Sequence, residues 1–87
     1  MKAIWKQVLC KTDRQAIDLP VGAKILDVQV QRGEWCLWYS CGVDLPLEKR
    51  YIAIYATGQE VEALNGDYIG TFQDGPFVWH VFEEDVW

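Results

Sequence analysis

The side chains of this chain that bind metal ions most readily are three cysteines, Cys10, Cys36 and Cys41, and one histidine, His80. A structural zinc ion needs four ligands, which usually include closely spaced Cys or His pairs. No Cys-x-x-Cys pair occurs. Cys36 and Cys41 differ by an odd number, so on one regular strand they point to opposite faces. We therefore predict no metal site, no disulfide between these two residues, and thiols that are buried or incidental.

The only histidine and the only serine are the candidates for acid–base and nucleophilic chemistry. His80 lies between Trp79 and Val81 in an apolar segment, and nothing in the spacing connects it with Ser40. A general base needs a hydrogen-bonded partner and a pocket. We predict that His80 is a packed or rim residue, that the chain has no catalytic residues or cofactor, and that it is not an enzyme.

Carboxylates are concentrated in the second part of the chain. Residues 1–50 carry eight Lys or Arg and six Asp or Glu, whereas residues 51–87 carry seven Asp or Glu and no Lys or Arg. Adjacent acids at 83–85 could bind a divalent cation, but they are more often solvated charge. The predicted binding carboxylates are Glu60, Glu62, Asp67, Glu83, Glu84 and Asp85.

This charge distribution favours one kind of partner and disfavours another. Direct nucleic-acid binding is disfavoured because phosphate contacts need a basic patch. A partner protein with a basic surface is the natural complement. The simpler interpretation is that the acidic balance only keeps a small protein soluble.

Aromatic side chains are abundant, with five Trp and four Tyr in 87 residues. Each large ring buries roughly 150–250 Å², which offsets the small core of so short a chain. A stacking platform for a base or a sugar could be formed by Trp35, Trp38 and Tyr39. Platforms that bind nucleic acid need basic neighbours, and only Arg32 is close in sequence, so packing in the core or in an interface is favoured. A terminal Trp87 is expected to pack back or to meet a partner. Trp35, Trp38 and Trp87 complete the predicted binding residues.

The elements that position these residues are predicted to be strands. Leu26, Val28 and Val30 alternate with polar residues, the period of two that is typical of a half-buried strand. Similar segments cover 2–11, 15–19, 24–31, 34–41, 49–56, 68–73 and 77–83, and at most one short helical turn is expected near 59–64. We predict a single all-β domain over 1–87, an antiparallel sandwich or partly open barrel of six or seven strands.

Turn residues punctuate the predicted strands. Arg32-Gly33 fits a two-residue hairpin, because Gly accepts positive φ without steric cost. Asp74-Gly75 is the strongest hairpin signal, with Pro76 expected just past the turn. Exposed sheet edges in a small protein favour self-association as a homodimer or higher oligomer.

The cellular compartment of the protein is predicted from its number of cysteines and from the length of its apolar segments. An odd cysteine count with no signal peptide argues against a secreted disulfide framework. No segment approaches the ~20 apolar residues of a membrane span. A reducing cytoplasm is predicted.

Several segments together resemble a known family. They are KAIWK at 2–6, LPVGAKILDVQVQRGEWCLW at 19–38, YIGTFQ at 68–73 and VWHVFE at 78–83, with TG at 57–58. The chain resembles a family of small phage- and prophage-encoded proteins of unknown function. The resemblance implies a phage or prophage origin, a host-cytoplasm setting and an all-β fold, and it transfers no catalytic residues.

Two functions from different classes follow. The first is a non-enzymatic phage accessory protein that binds a host or phage protein with a basic surface through its own acidic surface. One form of this function is stoichiometric inhibition of a host defence protein. The alternative is a virion or assembly component, since compact β domains with aromatic edges suit that role.

Overall fold

A computed structural model of the protein describes residues 1–85. This part of the chain contains seven strands and no helix, and it therefore has no helix of the length and apolarity that a membrane crossing requires. The strands are β1 (Lys2–Val8), β2 (Arg14–Pro20), β3 (Lys24–Gln31), β4 (Glu34–Gly42), β5 (Leu47–Ala56), β6 (Asp67–Asp74) and β7 (Phe77–Glu84). The all-β prediction is confirmed, and residues 59–64 form an irregular loop instead of a helical turn.

The strands form two antiparallel sheets that pack on each other as a sandwich. The three-stranded sheet has the order β1-β4-β3, and the four-stranded sheet has the order β2-β5-β7-β6. Neither sheet closes into a barrel, so of the two predicted architectures the sandwich is the one observed. β1 pairs with β4 and β2 pairs with β5, so each of the first two strands has a partner that is distant in sequence.

The core lies between the two sheets and is built from alternate residues. Trp35, Leu37 and Tyr39 of β4 point inward, as the period of two predicts. They meet Ile54 of β5 and Val81 of β7 from the opposite sheet. The residue after each inward-pointing residue therefore points to an outer face of the sandwich. The candidate binding site lies on one of these outer faces.

Two tight hairpins connect neighbouring strands. Arg32 and Gly33 have φ values of 52° and 79°, which confirms the predicted turn between β3 and β4. Between β6 and β7 the last pair is Asp74 with Phe77, so the central turn residues are Gly75 and Pro76 and not Asp74-Gly75. Gly75 has φ 60°, the positive φ that the first central position of such a turn requires. The second central position has a negative φ, which the ring of Pro76 fixes.

Arg50 connects the two sheets at one end of the core. Its Nη1 donates to the carbonyl oxygen of Ala23, immediately before β3, at 2.8 Å. Its Nη2 donates to Oε1 of Glu83 at 2.9 Å, and its Nε donates to the other oxygen of the same carboxylate. The bond to Glu83 raises the pKa of the Arg50 guanidinium. A bidentate ion pair of this kind is geometrically specific, and its charged hydrogen bonds are stronger than neutral ones.

Replacing Arg50 with glutamine is expected to lower the free energy of unfolding by about 2 kcal/mol, because Glu83 and the Ala23 carbonyl lose charge-assisted donors. Urea unfolding followed by tryptophan fluorescence measures the change. The Arg50 side chain is 16% exposed, whereas the partners of the Lys49–Asp18 pair are 64% and 55% exposed. Lys49→Gln is the control, with an expected change within about 0.5 kcal/mol. Equal effects of the two substitutions would contradict the assigned role of Arg50.

Candidate binding site

An irregular loop lies against the outer face of the four-stranded sheet. Residues 57–66, here called the crossing loop, connect β5 to β6. At the start of the loop, the backbone N–H of Thr57 donates to the carbonyl of Val78 at 3.0 Å. At the end, Gly66 lies directly against the backbone of Glu83 and Glu84. The loop therefore runs along β7 from one end of the strand to the other.

The middle of the crossing loop is held loosely. Within residues 1–85, no backbone–backbone hydrogen bond involves the segment from 60 to 65. Val61 and Leu64 nevertheless contribute apolar side chains to the space beneath the loop. Segments with few backbone hydrogen bonds open at low free-energy cost, so the loop is suited to admit a ligand.

An apolar pocket of about 320 Å³ lies between the crossing loop and the sheet. We call it the aromatic pocket, because its walls include Tyr55, Tyr68, His80 and Phe82. The ring centroid of Phe82 is 5.9 Å from that of Tyr55 and 5.5 Å from that of Tyr68, with interplanar angles of 60° and 66°. The inclined rings form a concave surface rather than a flat stack.

A second, polar pocket of about 410 Å³ lies next to the first, and both are lined by Tyr55, Gln59 and Val61. Asp13, Arg14 and Glu62 are among its other lining residues. Two carboxylates and one guanidinium thus line this pocket, which leaves its walls negatively charged.

Glu84 is almost completely buried beneath this region, with 6% of the side chain exposed. Its carboxylate accepts a hydrogen bond from Tyr55 Oη at 3.3 Å and lies 3.7 Å from Arg14 Nε. The hydrogen bond between Arg14 and Tyr55, followed by charge interactions with Tyr55 and Glu84, raises the pKa of Arg14. The Arg14 guanidinium thus has a carboxylate partner within the protein, while 52% of its side chain is exposed to solvent.

His80 lies half-buried in the wall of the aromatic pocket, and hydroxyl groups occupy both its ring nitrogens. Nε2 is 2.7 Å from Thr57 Oγ1, and Nδ1 is 3.0 Å from Thr71 Oγ1. Thr71 Oγ1 is in turn hydrogen-bonded to Tyr68 Oη. This network connects the crossing loop, β6 and β7, and it fixes the orientation of the Tyr68 ring.

The predicted binding carboxylates divide into two groups. Glu83 is paired with Arg50 at the rim of the core, and Glu84 is buried beside Arg14. The remaining four are exposed, and within residues 1–85 none of them has an ion-pair partner. These four, here called the acidic surface residues, are Glu60, Glu62, Asp67 and Asp85. The first two lie on the crossing loop, and the other two lie on β6 and just after β7.

The structure does not bring the predicted binding tryptophans together. Trp35 is 4% exposed and packs between the sheets, with ring centroids of Phe72 and Trp79 each at 5.1 Å. Its Nε1 donates to Asp74 Oδ2 at 2.8 Å. Trp38 is three residues further along β4 and therefore points to the opposite face of the sheet. Trp87 lies outside the described residues.

No group of three or more His, Cys, Asp or Glu side chains within residues 1–85 is placed to hold a metal ion. The three cysteines are free thiols, of which Cys36 and Cys41 are buried and Cys10 is exposed.

The model of one protein family, described as a domain of unknown function (DUF7352), matches residues 1–86. The chain belongs to the DUF7352 family. No curated protein and no solved structure matches it. The expected membership of a family of unknown function is thus confirmed, while the phage origin of this DUF7352 chain stays a prediction.

The aromatic pocket is not among the sites that the sequence predicts. β propensity assigns Tyr55 to a strand, and the residues around His80 indicate only a packed or rim position. The available signal is that Tyr55, His80 and Phe82 alternate with core residues of β5 and β7, which leaves aromatic side chains on an outer face. A long loop with two apolar residues, Val61 and Leu64, is a second signal.

Proposed function

We propose that this DUF7352 protein is a non-enzymatic accessory protein of phage or prophage origin that acts in the host cytoplasm by binding a basic protein surface. Inhibition of a host defence protein in a stoichiometric complex is the role we favour. The observation that carries the proposal is the set of four exposed carboxylates on and beside the crossing loop, which have no ion-pair partner among residues 1–85.

The charges of this face support a basic partner. Residues 51–87 contain no Lys or Arg, and the nearby Arg14 and Arg50 are paired with Glu84 and Glu83. Within the described part of the chain, the acidic surface residues are consequently not neutralised by a neighbouring cation. Exposed charges of one sign accelerate association with an oppositely charged surface and make binding sensitive to salt.

A non-catalytic role agrees with the surroundings of the only histidine. Both ring nitrogens of His80 face threonine hydroxyls, and no carboxylate is hydrogen-bonded to the ring in the described part of the chain. In the Ser-His-Asp arrangement a carboxylate stands at this place, where it orients the imidazole and stabilises the imidazolium that forms. Binding without covalent chemistry needs none of these groups.

A second candidate is a structural component of the virion or of its assembly, which the open sheet edges favour. β1 and β3 are the edge strands of one sheet, and β2 and β6 are those of the other. Unpaired strand edges are templates for pairing with another chain. Self-association of this protein through such an edge is compatible with either function.

Reversing two charges on the crossing loop is expected to reduce partner binding at least tenfold. The variant is Glu60→Lys/Glu62→Lys, and the measurement is capture from a lysate of the bacterium that carries the gene, with titration of salt and of the captured partner. The control is Glu34→Lys/Asp44→Lys, which changes net charge equally at two residues elsewhere on the surface. The control is expected to bind like the unmodified protein.

Three results would contradict the proposal. One is a captured partner that both variants retain equally. Another is a partner that salt does not release. The third is recovery of the protein in purified phage particles without a host partner, which would instead support the structural role.

A further inference from the structure

The aromatic pocket has the shape and polarity of a cation-binding site. Tyr55, Tyr68 and Phe82 form its inclined walls, and its lining within residues 1–85 contains no Lys or Arg. The face of an aromatic ring carries negative electrostatic potential, so an ammonium group within about 6 Å of a ring centroid is attracted to it. Three rings around one concave volume provide several such faces for a single ligand.

The surroundings of the pocket add further negative charge. Glu62 and Asp13 line the neighbouring polar pocket, and Glu60 lies on the same loop. Among the described residues, the only Lys or Arg in either lining is Arg14, which is held by Tyr55 and Glu84. An anionic ligand would find little to neutralise it here, whereas a cationic ligand would find rings and carboxylates together.

The pocket also accommodates an alkyl chain attached to the cation. Val61 and Leu64 of the crossing loop and Ala56 of β5 provide apolar surface. Gln59 Oε1 in the lining accepts a hydrogen bond from the Ala56 N–H at 3.0 Å and has a second lone pair that can accept another. A lysine side chain has this composition, with an apolar stem that packs on hydrocarbon and a compact ammonium that donates up to three hydrogen bonds.

We propose that the aromatic pocket binds an alkylammonium group, namely the side chain of a lysine on the basic protein partner. This inference rests on the proposed function, since it assigns to that partner one anchoring residue. The acidic surface residues attract the partner at long range, and the pocket then takes up one lysine. Opening of the weakly held 60–65 segment provides the entry path.

The direct test uses n-butylammonium, which reproduces the lysine side chain, and 1-butanol, its neutral counterpart. The unmodified full chain is titrated with each compound, and NMR chemical shifts of the tyrosine and phenylalanine ring protons are followed. We expect n-butylammonium to shift the resonances of Tyr55, Tyr68 and Phe82 and to bind at least about threefold more tightly than 1-butanol. Equal binding of the two compounds, or binding of neither, would overturn the proposal.

Ring substitutions test which wall carries the interaction. Tyr68→Leu is the main variant, because this side chain is 60% exposed and its loss leaves the core intact. Phe77→Leu is the matched control, since Phe77 is 57% exposed but lies outside the pocket lining. We expect n-butylammonium affinity to fall about threefold or more in the first variant and to stay unchanged in the second. An unchanged affinity in Tyr68→Leu would contradict the assignment.

The two proposals fail separately. If n-butylammonium does not bind but Glu60→Lys/Glu62→Lys still abolishes partner capture, the pocket assignment is wrong and the acidic surface stands. If n-butylammonium binds but no salt-sensitive partner is captured, the pocket is a cation site whose ligand is not a lysine of a basic protein, and both proposals are wrong in their choice of partner.

Discussion

Replacing Gly66 with alanine is expected to lower the free energy of unfolding by about 3 kcal/mol or more, and to displace the end of the crossing loop. A Cβ atom at this position would lie 2.0 Å from the carbonyl oxygen of Glu83 and 2.8 Å from its carbonyl carbon. Both are backbone atoms of β7, so neither can move aside as a flexible side chain would. The φ of 87° adds strain for any residue with a side chain.

Gly58→Ala separates the steric effect from the backbone effect. Gly58 has nearly the same φ, 86°, but within residues 1–85 no atom beyond its chain neighbours lies within 4 Å of the position that a Cβ would occupy. Its substitution is expected to cost only about 1 kcal/mol. Thermal and urea unfolding of both variants measure the difference, and similar losses in the two proteins would show that the close approach of Gly66 to β7 does not determine stability.

Replacing Trp35 with alanine is expected to lower the free energy of unfolding by about 3–5 kcal/mol, the usual range for a buried Trp or Phe replaced by alanine. The substitution removes the ring contacts with Phe72 and Trp79. It also removes the indole donor of Asp74, which keeps its ion pair with Lys11 at 3.6 Å. Urea unfolding, followed by far-ultraviolet circular dichroism, measures the loss.

Trp5→Ala is the matched control for this prediction. Trp5 is 41% exposed and makes a ring contact with Tyr39 at a centroid distance of 6.3 Å. Its replacement is expected to cost less than about 2 kcal/mol, since only part of the side chain leaves a buried position. If Trp35→Ala proved no more destabilising than Trp5→Ala, Trp35 would not be a core residue, and its predicted binding role would regain support.

Strand identity is predictable here because alternation and turn chemistry agree with each other. In β3, Val28 and Val30 keep the predicted period of two, and Arg32-Gly33 after them permits a two-residue turn. The prediction that Leu26 shares their face is wrong, because a bulge between Ile25 and Asp27 lets Ile25 pack against the core and leaves Leu26 42% exposed. The β6–β7 turn is displaced by one residue from the predicted position because Asp74-Gly75 and Gly75-Pro76 both suit a hairpin. Only the pairing of Asp74 with Phe77 distinguishes them.

Strand neighbours are not predictable in the same way. Alternation determines which face of a strand is buried, but it says nothing about which strand lies beside it. The pairing of β1 with β4 and of β2 with β5 depends on how two sheets share one core. Similarly, adjacent Glu83 and Glu84 look like one acidic cluster in sequence, although a strand directs them to opposite faces, where Arg50 and Arg14 meet them.

The aromatic pocket depends on the same long-range information. Tyr55, Tyr68 and Phe82 come from three different strands, and they converge only because β5, β7 and β6 are neighbours in one sheet. The apolar residues Val61 and Leu64 indicate that the crossing loop packs on an apolar surface, but they do not indicate which one. Its position is determined by Thr57 at one end and by the close approach of Gly66 to β7 at the other.

The strand order has a consequence for the sequence of events during folding. The β3–β4 and β6–β7 hairpins close over two-residue turns and are expected to form first, whereas β1 and β2 must wait for partners far along the chain. An unpaired β1 would expose Ile4 and Trp5 to other nascent chains. Lys2 and Lys6 flank this apolar pair, and charges in such positions discourage intermolecular strand pairing. We therefore expect Lys2 and Lys6 to limit aggregation of β1 before it pairs with β4.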